Sequence, residues 1–146
     1  MRAEKKPRRL RDWLLDVRKA LDNIKADVGS LDEDGFSSDG KTIRAVTKSV
    51  EDIGEAAKQI MELSPNFEQE HPVTWRHLKS VYGMRNVLTH GYFRIDAAVV
   101  WTTATVDLPK LYPLLEEVLS EHLRDNSLES DAMIEKRGTD LCPPKG

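Results

Sequence analysis

A chain of 146 residues with 22 Lys and Arg against 25 Asp and Glu, and a formal net charge of −3, is the size of one domain; at that length it can bury roughly 70% of the surface its unfolded form exposes. Cys142 has no second cysteine to pair with, which excludes an intrachain disulfide and a thiolate zinc site. The apolar stretch after the basic start is interrupted by Asp12, Asp16 and Arg18, and no run approaches the roughly 18 apolar residues of a membrane span, so neither signal peptide nor membrane helix is expected and the reducing cytoplasm is the expected location.

The basic residues are unevenly placed: Arg2, Lys5, Lys6, Arg8, Arg9 and Arg11 crowd the first 11 positions. Residues 1–9 read as a solvated basic leader, with a phosphate-tracking arm as the functional alternative. From Leu10 the apolar residues Leu10, Trp13, Leu14, Val17, Leu21, Ile24 and Val28 recur at intervals of three and four, which predicts an amphipathic helix ended near Gly29. The acidic stretch from Leu31 to Gly40 reads as a loop in which Phe36 tucks back onto the core.

A second helix is expected from Ser38 or Asp39, either of which can cap it, to just before Ser64-Pro65, with Ile43, Val46, Val50, Ile53, Ala57, Ile60 and Met61 on one face. Gly54 sits in its middle, where glycine costs about 1 kcal/mol relative to alanine. Its presence implies another helix packed closely there. A short connection containing Pro65 and Pro72 leads to a third helix from Thr74, carrying Trp75, Leu78, Val81, Tyr82, Arg85 and Leu88, with Gly91 as its stop.

Asp96 can cap a further segment. Val99 to Val106 is rich in β-branched residues and by propensity alone is a strand. No second strand candidate exists to pair with it, so it is read as a helix that breaks at Asp107-Leu108-Pro109 and resumes through Leu111, Leu114, Leu115, Val118, Leu119 and Leu123. Residues 125–146 read as a polar, frayed tail. The sum is an all-α domain over residues 10–124, an up-and-down bundle of four to five helices.

Glycine-rich phosphate loops, His-Glu-x-x-His and Gly-x-Ser-x-Gly do not occur in the sequence. His71, His77, His90 and His122 are too scattered to be adjacent metal ligands on one helix face, so neither a metal nor a cofactor is expected. Trp13, Trp75 and Trp101 lie in periodic segments and read as core anchors. What stands out is Arg85-Asn86-Val87-Leu88-Thr89-His90-Gly91-Tyr92. On an ideal helix Arg85 and His90 are about 140° apart, so they converge only if the helix breaks near Thr89. A guanidinium can grip two nonbridging phosphate oxygens and offset charge in the transition state. An imidazole with a pKa of about 6.5 can accept or donate a proton near neutral pH. Together they suit a phosphodiester. In the plainer alternative Arg85 pairs with Glu55 or Glu51, His90 caps the helix and Tyr92 packs in the core.

These residues also carry a resemblance. The string Met84-Arg85-Asn86-Val87-Leu88-Thr89-His90-Gly91-Tyr92-Phe93-Arg94-Ile95-Asp96 contains Arg-x4-His-x-Tyr in full, and the chain thereby resembles the HEPN superfamily and, within it, the HepT-like toxins of bacterial and archaeal toxin–antitoxin pairs. Arg11-Asp12-Trp13-Leu14-Leu15-Asp16 is similar to the family's first helix, Ile53-Gly54-Glu55-Ala56-Ala57-Lys58 to its second, Thr74-Trp75-Arg76 to the start of its motif helix and Asp107-Leu108-Pro109-Lys110-Leu111 to its last. The resemblance implies a HEPN-like bundle that forms a homodimer through facing motif helices. It implies a metal-independent endoribonuclease that cleaves RNA in a composite cleft, with Arg85 and His90 catalytic and Asn86 and Glu55 in support. It further implies a cognate MNT-type nucleotidyltransferase antitoxin, which in some pairs transfers AMP from ATP onto the motif tyrosine, here Tyr92. A non-catalytic module that partners a nucleotidyltransferase is the alternative within the same family.

Overall fold

The computed structural model describes residues 8–90 and 96–122, with the backbone alone at Val87, Thr89 and His90. Helix α1 (Leu10–Val28) ends where the apolar spacing predicts. Gly29 follows at φ 52°, a left-handed conformation that favours glycine, and its N–H donates to the Lys25 carbonyl. At the start of α1 the Arg9 N–H donates to the Asp12 carboxylate at 2.9 Å, half of a capping box. Arg8 lies back along the helix: its guanidinium is 4.2 Å from the Trp13 ring centre and 2.6 Å from the Asp16 carboxylate. The rest of the expected leader, residues 123 and 124 and the expected tail over 125–146 lie outside the described residues.

A short helix, α2 (Glu33–Ser37), replaces part of the expected loop. Asp32 caps it by accepting from the Gly35 N–H at 2.8 Å. The residues that make turns also cap helices, and here one helical turn is enough to drive Phe36 fully into the core. Its ring centre sits 5.4 Å from that of Trp101.

Helix α3 (Gly40–Leu63) begins at the expected cap, Asp39, whose carboxylate accepts from the Thr42 N–H at 3.1 Å. Val46, Val50, Ile53, Ala57 and Ile60 are buried as the spacing predicts. Met61 is not: it is 43% exposed, because the residue after Ile60 points about 100° further round the helix. The next connection contains a four-residue helix, α4 (Phe67–Glu70), which buries Phe67 edge-on to Trp75. Helix α5 (Pro72–His90) then starts at Pro72 rather than Thr74. Proline is accommodated in a first turn, where its missing N–H would have no helical partner.

Helix α6 (Ala97–Thr102) is capped by Asp96, whose carboxylate accepts from the N–H groups of Ala98 and Val99. The β-branched segment is helical, as expected for a chain with nothing to pair it. The break expected at Asp107-Leu108-Pro109 is instead a π-helical turn over Thr103–Asp107, after which α7 continues over 108–122. In a regular α-helix the Pro109 ring would press on the carbonyl four residues back, and a π-turn is one way a helix absorbs such a misfit. The Thr103 and Thr105 hydroxyls donate to the Val99 and Trp101 carbonyls at 2.8 and 2.7 Å, adding bonds where the helix widens.

The long elements α1, α3, α5 and the continuous α6–α7 rod make one all-α bundle, and no strand occurs among the described residues. α1 packs on α3 and α3 on α5, while α2 closes over α6. Their apolar faces merge into one core that includes Leu14, Ile53, Leu78 and Leu115, all without exposure. Each such side chain contributes roughly 1.5–3 kcal/mol by burial, so the core rather than the half-exposed Arg18–Glu116 pair joins α1 to α7. No helix among the described residues is long and apolar enough to cross a membrane.

Candidate active site

The site begins with a missing side chain. Where α3 crosses α5, a methyl group placed on Gly54 would lie 2.5 Å from Cβ, 3.0 Å from Cγ and 2.9 Å from Cδ of Arg85. The Arg85 stem therefore lies directly on the bare backbone of α3, which is the close helix approach that an interior glycine implies. The same placement carries the guanidinium to the neighbouring position on α3, with Arg85 Nη2 3.0 Å from Glu55 Oε2.

Of the two carboxylates the sequence offers Arg85, Glu55 makes the pair. Its other oxygen accepts from Gln59 Nε2 at 3.2 Å, so two donors hold the carboxylate in place. The Arg85 and Glu55 side chains are 27% and 38% exposed, which leaves the guanidinium at the rim of the bundle, within reach of a ligand. Asn86, next on α5, is half-buried.

Beside the pair, α1 and α3 enclose a hollow of about 460 Å³ lined by Arg8, Trp13, Asp16, Lys19, Asp52 and Glu55, among others. It holds more carboxylates than cations, so alone it does not suit a polyanion. A more apolar hollow of about 540 Å³ between α1 and α7, lined by Leu21, Ile24, Leu108 and Tyr112, contains none of the motif residues.

The helix break near Thr89 that would let Arg85 and His90 converge within one chain is not found, since α5 remains helical through His90. Five residues of regular helix separate the two backbone positions by about 140° around the axis. Gly91, expected as the helix stop, and Tyr92 lie outside the described residues. Among the described residues no three His, Cys, Asp or Glu side chains gather as metal ligands would.

The structure thus brings Arg85 and Glu55 together with Asn86 alongside, and places the His90 backbone at the end of the same helix. The residue missed as part of the site is Gly54. Its position inside a helix was a legible signal of close packing; that an arginine stem does the packing was not.

The family model described as Ribonuclease HepT-like matches residues 17–118 of the chain. A protein of Thermococcus cleftensis named as a probable ribonuclease HepT is 36% identical over 110 residues, which cover 74% of this chain and 94% of that one. A candidate RNase of Caldanaerobacter subterraneus is 30% identical over 112 residues, 76% of this chain and 95% of its own. Another, from Methanocaldococcus jannaschii, is 30% identical over 112 residues, 76% and 97%. No solved structure matches significantly. The chain belongs to the HepT-like family.

Proposed function

We propose that this chain is a metal-independent endoribonuclease, the toxin of a toxin–antitoxin pair, acting as a homodimer in the cytoplasm. The observation that carries the reading is the Arg85 guanidinium, fixed at a solvent-open rim by Gly54 and Glu55 in a chain of the HepT-like family.

One chain alone is poorly arranged for the reaction. The positions of Arg85 and His90 diverge around α5, and one imidazole cannot be base and acid in the same step. Two α5 helices facing each other across a two-fold axis supply a second set. In that composite cleft one neutral His90 takes the proton from an RNA 2′-hydroxyl, and the 2′-oxygen attacks phosphorus. The other His90, protonated, gives its proton to the departing 5′-oxygen. The products are a 2′,3′-cyclic phosphate and a 5′-hydroxyl. The two Arg85 guanidiniums offset the charge that builds on the phosphorane-like transition state. Glu55 holds Arg85 in place, and Asn86 helps to orient the phosphate.

A cognate MNT-type nucleotidyltransferase neutralises the toxin by transferring AMP from ATP to the Tyr92 hydroxyl with release of pyrophosphate. The added anion at the mouth of the cleft excludes RNA by bulk and by like charge. The competing reading is a non-catalytic module that binds such a nucleotidyltransferase.

Expression of the chain alone in cells, wild type against His90→Ala, separates the two. Growth arrest with new RNA fragments that disappear in the variant supports the ribonuclease. Harmless expression of both with intact RNA supports the binding module.

A further inference from the structure

We infer that Gly54 is a positioning residue for Arg85, lending it a floor on which the arginine stem is laid and aimed at Glu55 and the open rim. For activity this rests on the ribonuclease reading; for geometry it stands by itself. The Gly54 backbone is ordinary right-handed helix, so no left-handed φ calls for glycine there, and an interior glycine weakens a helix. What the position does require is space. The three atoms nearest to an added methyl are Cβ, Cδ and Cγ of one side chain, Arg85, at 2.5, 2.9 and 3.0 Å, the first two closer than real side chains approach. Gly83 on α5 is a contrast, with nothing within 4 Å of the same added methyl. Gly54 is therefore matched to position 85 of α5: the 2.5 Å approach to Cβ would arise with any residue larger than glycine there, and the 2.9 and 3.0 Å approaches to Cδ and Cγ belong to the long arginine stem.

Adding a methyl at Gly54 must push the stem off α3, and with it the guanidinium that the stem carries. A misplacement of about 1 Å in a group that meets the transition state costs about 100-fold in rate.

The test compares Gly54→Ala in three backgrounds of the full chain: wild type, Arg85→Ala and Arg85→Gly. Arg85→Ala keeps the Cβ at 2.5 Å, whereas Arg85→Gly removes all three carbons. The loss of melting temperature caused by Gly54→Ala is expected to be largest in the wild type, smaller in the Arg85→Ala background and absent in the Arg85→Gly background. An equal loss in all three would show that the methyl meets something other than Arg85 and would overturn the inference. If Gly54→Ala alone fails to fold, recovery of folding with Arg85→Gly supports it and failure in every background overturns it.

The activity of the same proteins is then read on an RNA substrate. Where the wild type cleaves and Arg85→Ala does not, folded Gly54→Ala is expected to lose about 100-fold in kcat with KM little changed. A wild-type kcat in folded Gly54→Ala overturns the positioning role. A wild-type chain that cleaves no RNA contradicts the ribonuclease reading, and the melting series then decides for Gly54 alone.

Discussion

The Arg85 guanidinium of α5 stands 3.0 Å from the Glu55 carboxylate of α3, at a rim where both side chains keep a quarter or more of their surface in solvent. A pair this exposed is screened by water and salt and contributes about 0.2–1 kcal/mol. Its value to the molecule is therefore in orientation rather than in stability. Arg85→Ala should cost more in urea unfolding than the ion pair alone, because the stem laid on Gly54 is lost with it, yet its larger effect should be on RNA cleavage, reduced by about 100-fold or more, as loss of a transition-state donor does. A variant that unfolds easily but still cleaves would reverse these roles.

Glu55→Gln keeps the shape of the side chain and an oxygen to accept from Arg85 while removing the charge. Loss of about 1 kcal/mol of charge assistance corresponds to about a fivefold fall in kcat. Single-turnover cleavage by Glu55→Gln, with circular dichroism to confirm the helices, measures this; an unchanged rate would remove Glu55 from the site.

Phe36 is buried without exposure against Trp101 although it lies in a stretch of turn residues. Phe36→Ala should cost about 3–5 kcal/mol, whereas Met61→Ala, on a long helix but largely in solvent, should stay within about 0.5 kcal/mol. Urea denaturation of the two variants checks the ranking, and equal losses would contradict the assignment of α2 to the core.

The cap of α3 predicts a pH dependence. The Thr42 N–H, and after it the Thr42 hydroxyl, donate to Asp39 and hold its carboxyl below the ordinary carboxylate value. A carboxyl whose folded pKa is lowered adds stability above its unfolded value of about 4, and that contribution fades as pH falls through the lower folded value. Asp39→Ala should therefore melt earlier than the wild type at neutral pH, with the gap narrowing in acid, below the unfolded value of about 4. A gap of the same size at neutral pH and in acid would rule out this linkage.

The long helices were legible because burial writes itself into sequence at intervals of three and four, as from Leu14 to Ile24. Gly29, Asp39 and Asp96 mark their ends through chemistry that acts within a few residues. Helices α2 and α4 are too short for a period to develop, so only the burial of Phe36 and Phe67 reveals them. The π-turn follows from how Pro109 settles into a continuing helix, which propensity does not specify. In the site, Glu51 and Glu55 lie one turn apart on the same helix and the sequence offers both to Arg85. The choice between them is made by the register at which α5 crosses Gly54, a tertiary fact.

Cleavage of an end-labelled RNA by the purified chain in EDTA, wild type against His90→Ala, is the direct test of a metal-independent Arg85–His90 site. Fragments ending in 2′,3′-cyclic phosphate are expected from the wild type and none from His90→Ala. Equal cleavage by both proteins, or intact RNA with a folded, dimeric wild type, would contradict such a site.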